Sequence, residues 1–125
     1  MSRDGGSAMR FSGVMIGSED PTALGAFYTT ILGEPDFRDG EWSGWNSGAQ
    51  IMIGPHSELQ GKSSVPQRVM LTIEVDDVRA SFDKIASYGA PVVAPPYQPE
   101  VGKDFWLATL EDVDGNYLQL ATPWT

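Results

Sequence analysis

Few side chains in this sequence have the chemistry of catalysis or ligation. His56 is the single histidine, placed in "GPHSEL" just after a strand-like run. An imidazole titrates near neutrality, which suits proton transfer or metal ligation, although a lone histidine in a loop is more simply a solvated side chain. Glu74 lies in "VMLTIEV". In a dry cleft burial would raise its pKa and make it a usable base; at a strand end it is a rim carboxylate. His56 and Glu74 are the two weak candidates for catalysis, with Glu58 as a further carboxylate near His56. There are no cysteines, so thiol nucleophiles, thiolate metal sites and disulfides are excluded. The acidic pairs Glu19-Asp20 and Asp76-Asp77 stand just before apolar helical stripes and read as helix caps. Gln119, in "DGNYLQL", carries an amide that both donates and accepts hydrogen bonds. It could be a ligand, a pocket wall or an ordinary strand residue.

The elements that position these residues occur twice. "IGSEDPTALGAFYTTILGEP" (16–35) lies over "IEVDDVRASFDKIASYGAP" (73–91), and "GAQIMIG" (48–54) over "GNYLQLA" (115–121). Such self-similarity indicates a duplicated unit. Each unit opens with a strand rich in Val, Ile, Leu and Met, "FSGVMIG" or "VMLTIEV". Each then meets a capping acid, Asp20 or Asp77. Pro21 suits the first helical position. Leu24, Phe27, Tyr28 and Ile31 form one apolar stripe, and Gly33 ends that helix; Val78, Phe82, Ile85 and Gly89 repeat the pattern. Three short strands follow in each unit, near 35–38, 41–46 and 50–54, then near 92–95, 105–110 and 117–121. "DG", "SG" and "DGN" supply the turns. Each unit therefore reads β-α-β-β-β, with a polar linker "PHSELQGKSSVPQ" between them and a second long loop, "PPYQPEVGKD" (95–104). The class is α+β: two βαβββ units, about 10–54 and 68–122, forming cupped, largely antiparallel sheets with helices on the outer faces. Residues 1–9 are expected to be a loose tail and 10–125 a single domain.

Side chains alternate across a strand. Val14, Ile16, Ile51, Ile53, Leu71, Ile73, Val75, Leu118 and Leu120 make one aliphatic face, which should pack under the helices. The other face reads Gly13, Met15, Gln50, Met52, Met70, Thr72, Glu74, Tyr117, Gln119 and Ala121. A sheet face not covered by its own helices meets water, a partner or a ligand. Trp42, Trp45 and Trp106 are placed on the middle strands, and Trp124 is the penultimate residue. Trp42 and Trp45, three apart, should point to opposite faces, so at most one of them meets the cleft. Tyr97, in the second long loop, could close over a ligand.

The helix motif "DPTALGAFYTTILG", the entry "EVDDV" and the turn "DVDGNYLQL" resemble the glyoxalase / bleomycin-resistance / extradiol-dioxygenase superfamily, the vicinal oxygen chelate proteins. The resemblance spans about 11–123, with Val113 standing where Pro is usual. It implies paired βαβββ units around a cleft, commonly in a homodimer. Metalloenzymes of that superfamily hold a divalent ion with His on the first strand and Glu, Gln or His on the last strand of a unit. Carried over residue by residue, those positions fall on Gly13, Met52, Met70 and Gln119. Glycine has no donor, thioethers suit soft ions rather than hard divalent ones, and a lone amide is a poor ligand. No metal or other cofactor is therefore expected.

Eight basic and seventeen acidic residues give a net charge of −9, a field that repels phosphate backbones and argues against nucleic-acid binding. No apolar run is long enough for a membrane span, and without a signal-like start a cytoplasmic location is expected. The sequence thus points to a metal-independent protein binding a small organic molecule in an apolar cleft, in a sequestration or resistance role. The expected ligand-binding residues are Met15, Gln50, Met52, Met70, Thr72, Tyr97, Trp106, Tyr117 and Gln119. The rival readings are a lyase, isomerase or dioxygenase of the same superfamily, and a dimeric interaction module without a ligand.

Overall fold

The computed structural model describes residues 11–123; the expected tail at 1–9 and Trp124 lie outside the described residues. Unit one comprises β1 (Gly13–Ser18), α1 (Pro21–Leu32), β2 (Phe37–Asp39), β3 (Trp42–Ser47) and β4 (Ala49–Pro55). Unit two comprises β5 (Leu71–Glu74), α2 (Val78–Ser87), β6 (Val92–Tyr97), β7 (Leu107–Glu111) and β8 (Tyr117–Ala121). Each unit forms its own four-stranded sheet, ordered β1-β4-β3-β2 and β5-β8-β7-β6. The last strand of each unit returns parallel to the first, while the remaining pairs are antiparallel. The sheets are therefore mixed.

Both helices start as their sequences dictate. The Asp20 carboxylate accepts from the N–H of Ala23 at 3.2 Å, and Pro21 occupies the first turn, where no amide hydrogen is needed. Asp77 accepts from Ala80 N–H at 3.0 Å. Gly33 closes α1 with φ +85° and hands its N–H to the Thr29 carbonyl. Its ψ is extended rather than helical, so the cap turns the chain sharply outward toward β2. Tyr88 caps α2 one residue before Gly89, which takes the positive φ.

The aliphatic face forms the core. Leu24 and Tyr28 of α1 are fully buried, as are Ile53, Leu110, Leu118 and Leu120 of the strands. Val78 and Ile85 of α2 join the same cluster, so the two units share one core. Phe27 and Tyr28 meet edge to face at 5.2 Å. Complete burial of one leucine side chain is worth about 1.5–3 kcal/mol, so this shared cluster dominates the stability of the fold.

Several boundaries differ from the sequence reading. β2 begins at Phe37, because Pro35 has no amide hydrogen to give to a ladder. β6 extends to Tyr97 through two register irregularities beside Pro95 and Pro96, shortening the expected loop. Met70 lies one residue before β5, and Trp106 one residue before β7.

Candidate functional site

Register settles which residues share the uncovered face. In unit one the central row across the strands is Met15–Met52–Gly44–Phe37. In unit two it is Thr72–Gln119–Thr109–Ala94. The two rows belong to separate sheets. Ser18, the last residue of β1, bonds Asp114 in the β7–β8 turn at 2.5 Å, so β1 ends where β8 begins. Ser47, in the turn that opens β4, shares a recess with Glu74 and Val75 at the end of β5. β1 and β5 therefore run in opposite senses, with Met15 and Thr72 near the same level. That recess also holds Ile31, Ile73, Ile85 and Leu120, so both helices cover the same side of the paired sheets. A larger recess of about 620 Å³ opens between the sheet edges, lined by Gln50, Thr72 and Glu74 of the uncovered face and by Val14, Ile51, Leu71 and Ile73 of the opposite one.

The unit-one half is built to be flat. A Cβ on Gly54 would collide with the indole of Trp42, so that ring lies directly on the glycine. Gly44 likewise sits beneath Phe37, with 3.6 Å from its would-be Cβ to the ring. Phe37 and Met15 remain about half exposed, at 46% and 47%. Trp45, of opposite parity, is buried under α1, and its indole N–H donates to the Gly33 carbonyl at 2.8 Å. The two tryptophans do point to opposite faces.

The unit-two half is polar. The Thr72 hydroxyl donates to Gln119 Oε1 at 3.2 Å, and no other described residue takes up the hydrogens of the same amide. Thr109 stands on the far side of Gln119. Asp39, Glu74 and Glu111 occupy strand positions on this face, and among the described residues no lysine or arginine does.

Of the nine ligand-binding residues predicted from sequence, the strand register puts Met15, Gln50, Met52, Thr72, Tyr97, Tyr117 and Gln119 on the one face. Met70 sits at its margin, half buried. Trp106 belongs elsewhere. Its parity is that of Ala108 and Leu110 on the helix side, the Arg79 guanidinium of α2 lies 4.4 Å from its ring, and its backbone N–H donates to the Thr122 hydroxyl at 2.9 Å. His56 is exposed after β4. Its Nδ1 accepts from the Glu58 N–H at 3.2 Å, and its Cβ packs over Gly17. Glu74 lies at the opposite end, beside the start of β1, so the imidazole is not brought to it. Phe37 and Thr109 were missed, and Trp42 is the one of the two tryptophans that the register puts on this face. The Gly40-Glu41 turn pairs Asp39 with Trp42, and counting outward from "DG" would have set Phe37 and Trp42 on the Met52 face.

The superfamily's metal corner does not fit a metal here. Met52 and Gln119 face the site but offer a thioether and an amide. Gly13 offers nothing, and any Cβ there would run into the carbonyl oxygen of Gln50. Among the described residues no three His, Asp or Glu side chains come together as a metal site.

The "DVDGN" turn, by contrast, is a lock between units. Buried Asp112 accepts from the Tyr28 hydroxyl at 2.8 Å, from the backbone N–H groups of Asp114 and Asn116, and from the Asn116 amide. Burial, reinforced by Asp112, drives the Tyr28 phenol far above its ordinary range, so it remains a proton donor. Asp114 is raised as well, first by burial and then by Asp112 and Asp20, against the opposing hydrogen bond from Ser18 and the charge of Lys62.

A family model described as a glyoxalase-like domain matches residues 13–121. Among solved structures, a glyoxalase/bleomycin resistance protein/dioxygenase family enzyme from Burkholderia phytofirmans PsJN superposes with a TM-score of 0.72 at 23% identity, covering 91% of this chain and 98% of that one. A glyoxalase-related enzyme from Fulvimarina pelagi gives 0.72 at 18% identity, over 91% and 88%. TioX from Micromonospora sp. ML1 gives 0.68 at 17% identity, over 95% and 98%. A search of curated proteins returned no match. With the family model spanning nearly all of both βαβββ units and the fold shared with these structures, the chain belongs to the glyoxalase-like domain family.

Proposed function

We propose that this protein binds a small organic molecule on its uncovered sheet face without using a metal, as a sequestering rather than a catalytic protein. The observation that carries this reading is Gly13. The first-strand ligand position has no donor, and the Gln50 backbone occupies the space a side chain would need. The face around it keeps what a binding site needs: half-exposed apolar groups and a few directed polar ones. Separation of His56 from Glu74 counts against the acid-base rival. A homodimer fits the exposed apolar residues Phe11, Met15 and Val69, which lie at or just before the unpaired edges β1 and β5.

Elemental analysis, together with thermal melts with and without Ni, Zn, Mn and Fe(II), tests the metal-free reading. A bound metal stabilises the folded state by mass action. The expected result is no stoichiometric metal and no shift that chelator reverses. Stoichiometric metal with a chelator-reversible shift would overturn the proposal in favour of a metalloenzyme.

A further inference from the structure

One end of the uncovered face is already occupied by the chain itself. Gly17 of β1 and Gly54 of β4 are register partners, and both have the parity of Met15 and Met52. A Cβ on either would therefore project from this face. The Trp42 ring lies on Gly54. On Gly17 lies Leu59, whose Cδ1 stands 2.5 Å from where a Cβ would be, with His56 Cβ at 3.1 Å. Leu59 belongs to the segment joining the two units, and a tight turn carries it back over β1. Its N–H donates to the His56 carbonyl at 3.2 Å, and the Glu58 N–H donates to His56 Nδ1 at 3.2 Å. Beyond the leucine the segment is fastened to both units. The Gly61 N–H donates to Glu19 Oε1 at 3.0 Å, and the Ser63 N–H to the Asp114 carbonyl at 2.9 Å.

We infer that segment 56–63 is a self-inhibitory clasp: Leu59 fills the Gly17 end of the candidate site in the free protein and lifts away when an apolar ligand takes that end. This rests on the binding reading above and adds a conformational step to it. Leu59 is an occupant rather than a roof, because nothing fits beneath it; even one added carbon on Gly17 would overlap its methyl. The segment is also lightly held. Residues 56–63 are all exposed, Leu59 itself at 41%. With so little burial to give up, the segment can open on its fastenings without disturbing the shared core.

Amide hydrogen exchange of the full chain tests the clasp without a ligand. Gly61 and Ser63 are expected to be protected, yet to exchange well before Ile53 and Leu120 of the buried strands. Glu19→Ala removes the acceptor of Gly61 and should speed both amides roughly tenfold, with Ile53 and Leu120 unchanged. If Gly61 and Ser63 exchange no faster than Ile53, the segment is a fixed wall. If Glu19→Ala speeds Gly61 alone, the segment does not open as one piece. Either result overturns the inference. The second arm titrates Nile red, an uncharged apolar dye, located by the methyl NMR signals of Met15 and Met52. Leu59→Ser should bind the dye roughly three- to tenfold more tightly, since the free protein no longer carries a competitor, and Glu19→Ala should act in the same direction. Equal or weaker binding by Leu59→Ser overturns the clasp and leaves the binding reading standing, with the leucine as part of the surface a ligand uses. If the dye moves neither methionine in the native protein nor in Leu59→Ser, the face takes up no apolar molecule, and the proposed function falls together with this inference.

Discussion

At equivalent places in the two units stand Met15 and Thr72, Met52 and Gln119, Phe37 and Ala94, Gly44 and Thr109. The strand order is the same in both sheets, down to the parallel return of the last strand, although β6 meets β7 through register irregularities that β2 and β3 lack. The side chains are not the same. Unit one offers a flat apolar surface, unit two a hydrogen-bonding one. The contacts to α1 differ as well. Trp45 of β3 and Asp112 in the β7–β8 turn both reach α1, yet Trp45 bonds the end of its own unit's helix while Asp112 crosses to the other unit. A duplicated unit thus keeps positions and frees the residues at them. One copy can supply the floor of a site while the other supplies its polar groups and the lock that holds the copies together.

The comparison breaks most severely at the lock. Asp112→Ala strands the Tyr28 hydroxyl and two backbone N–H groups, with an expected cost of about 3–5 kcal/mol in urea denaturation. Tyr28→Phe removes one donor and leaves Asp112 its other bonds, so about 1–3 kcal/mol is expected from the same measurement. The flat floor comes next. Gly54→Val forces Trp42 off the sheet at about 1–3 kcal/mol and alters the near-ultraviolet dichroism of the indole. At the matching position of unit two, Ala121→Gly collides with nothing and should cost only about 0.5–1 kcal/mol. Equal costs at 54 and 121 would show that the two floors are alike after all. The smallest effect is electrostatic. The Asp114 pKa is raised in the folded state above its ordinary 3.8, so the folded form holds that proton more tightly. Its contribution is fully present below about pH 3.8 and is lost as pH rises through the folded pKa. The stability of the native protein relative to Asp114→Asn should therefore fall on going from acid toward neutral pH.

Much of the architecture could be read beforehand from particular residues. Asp20-Pro21 and Asp77 marked the helix starts because their caps are local. Ile51, Ile53, Leu118 and Leu120 marked the buried face because strand parity is strict. Trp106 went to the wrong side because only the pairing of β7 with β8 shows that its parity, that of Ala108 and Leu110, is the helix side. Phe37 was overlooked because a three-residue strand carries almost no periodic signal of its own.

The sequence alone determined the duplication, the caps and the two-faced strands, since each follows from contacts within a few residues or from period-two alternation. It also determined that Gly13, Met52, Met70 and Gln119 are a poor divalent-metal set, because donor chemistry travels with residue type. Tertiary structure decided the rest. Only the approach of β4 to β1 shows that Gly13 is sterically closed by Gln50, only the crossing of α1 to the β7–β8 turn pairs Tyr28 with Asp112, and only the opposed senses of β1 and β5 align an apolar row with a polar one. The Tyr28–Asp112 bond joins residues 84 positions apart, and such contacts are set by how the sheets and helices share a core, which no local pattern encodes.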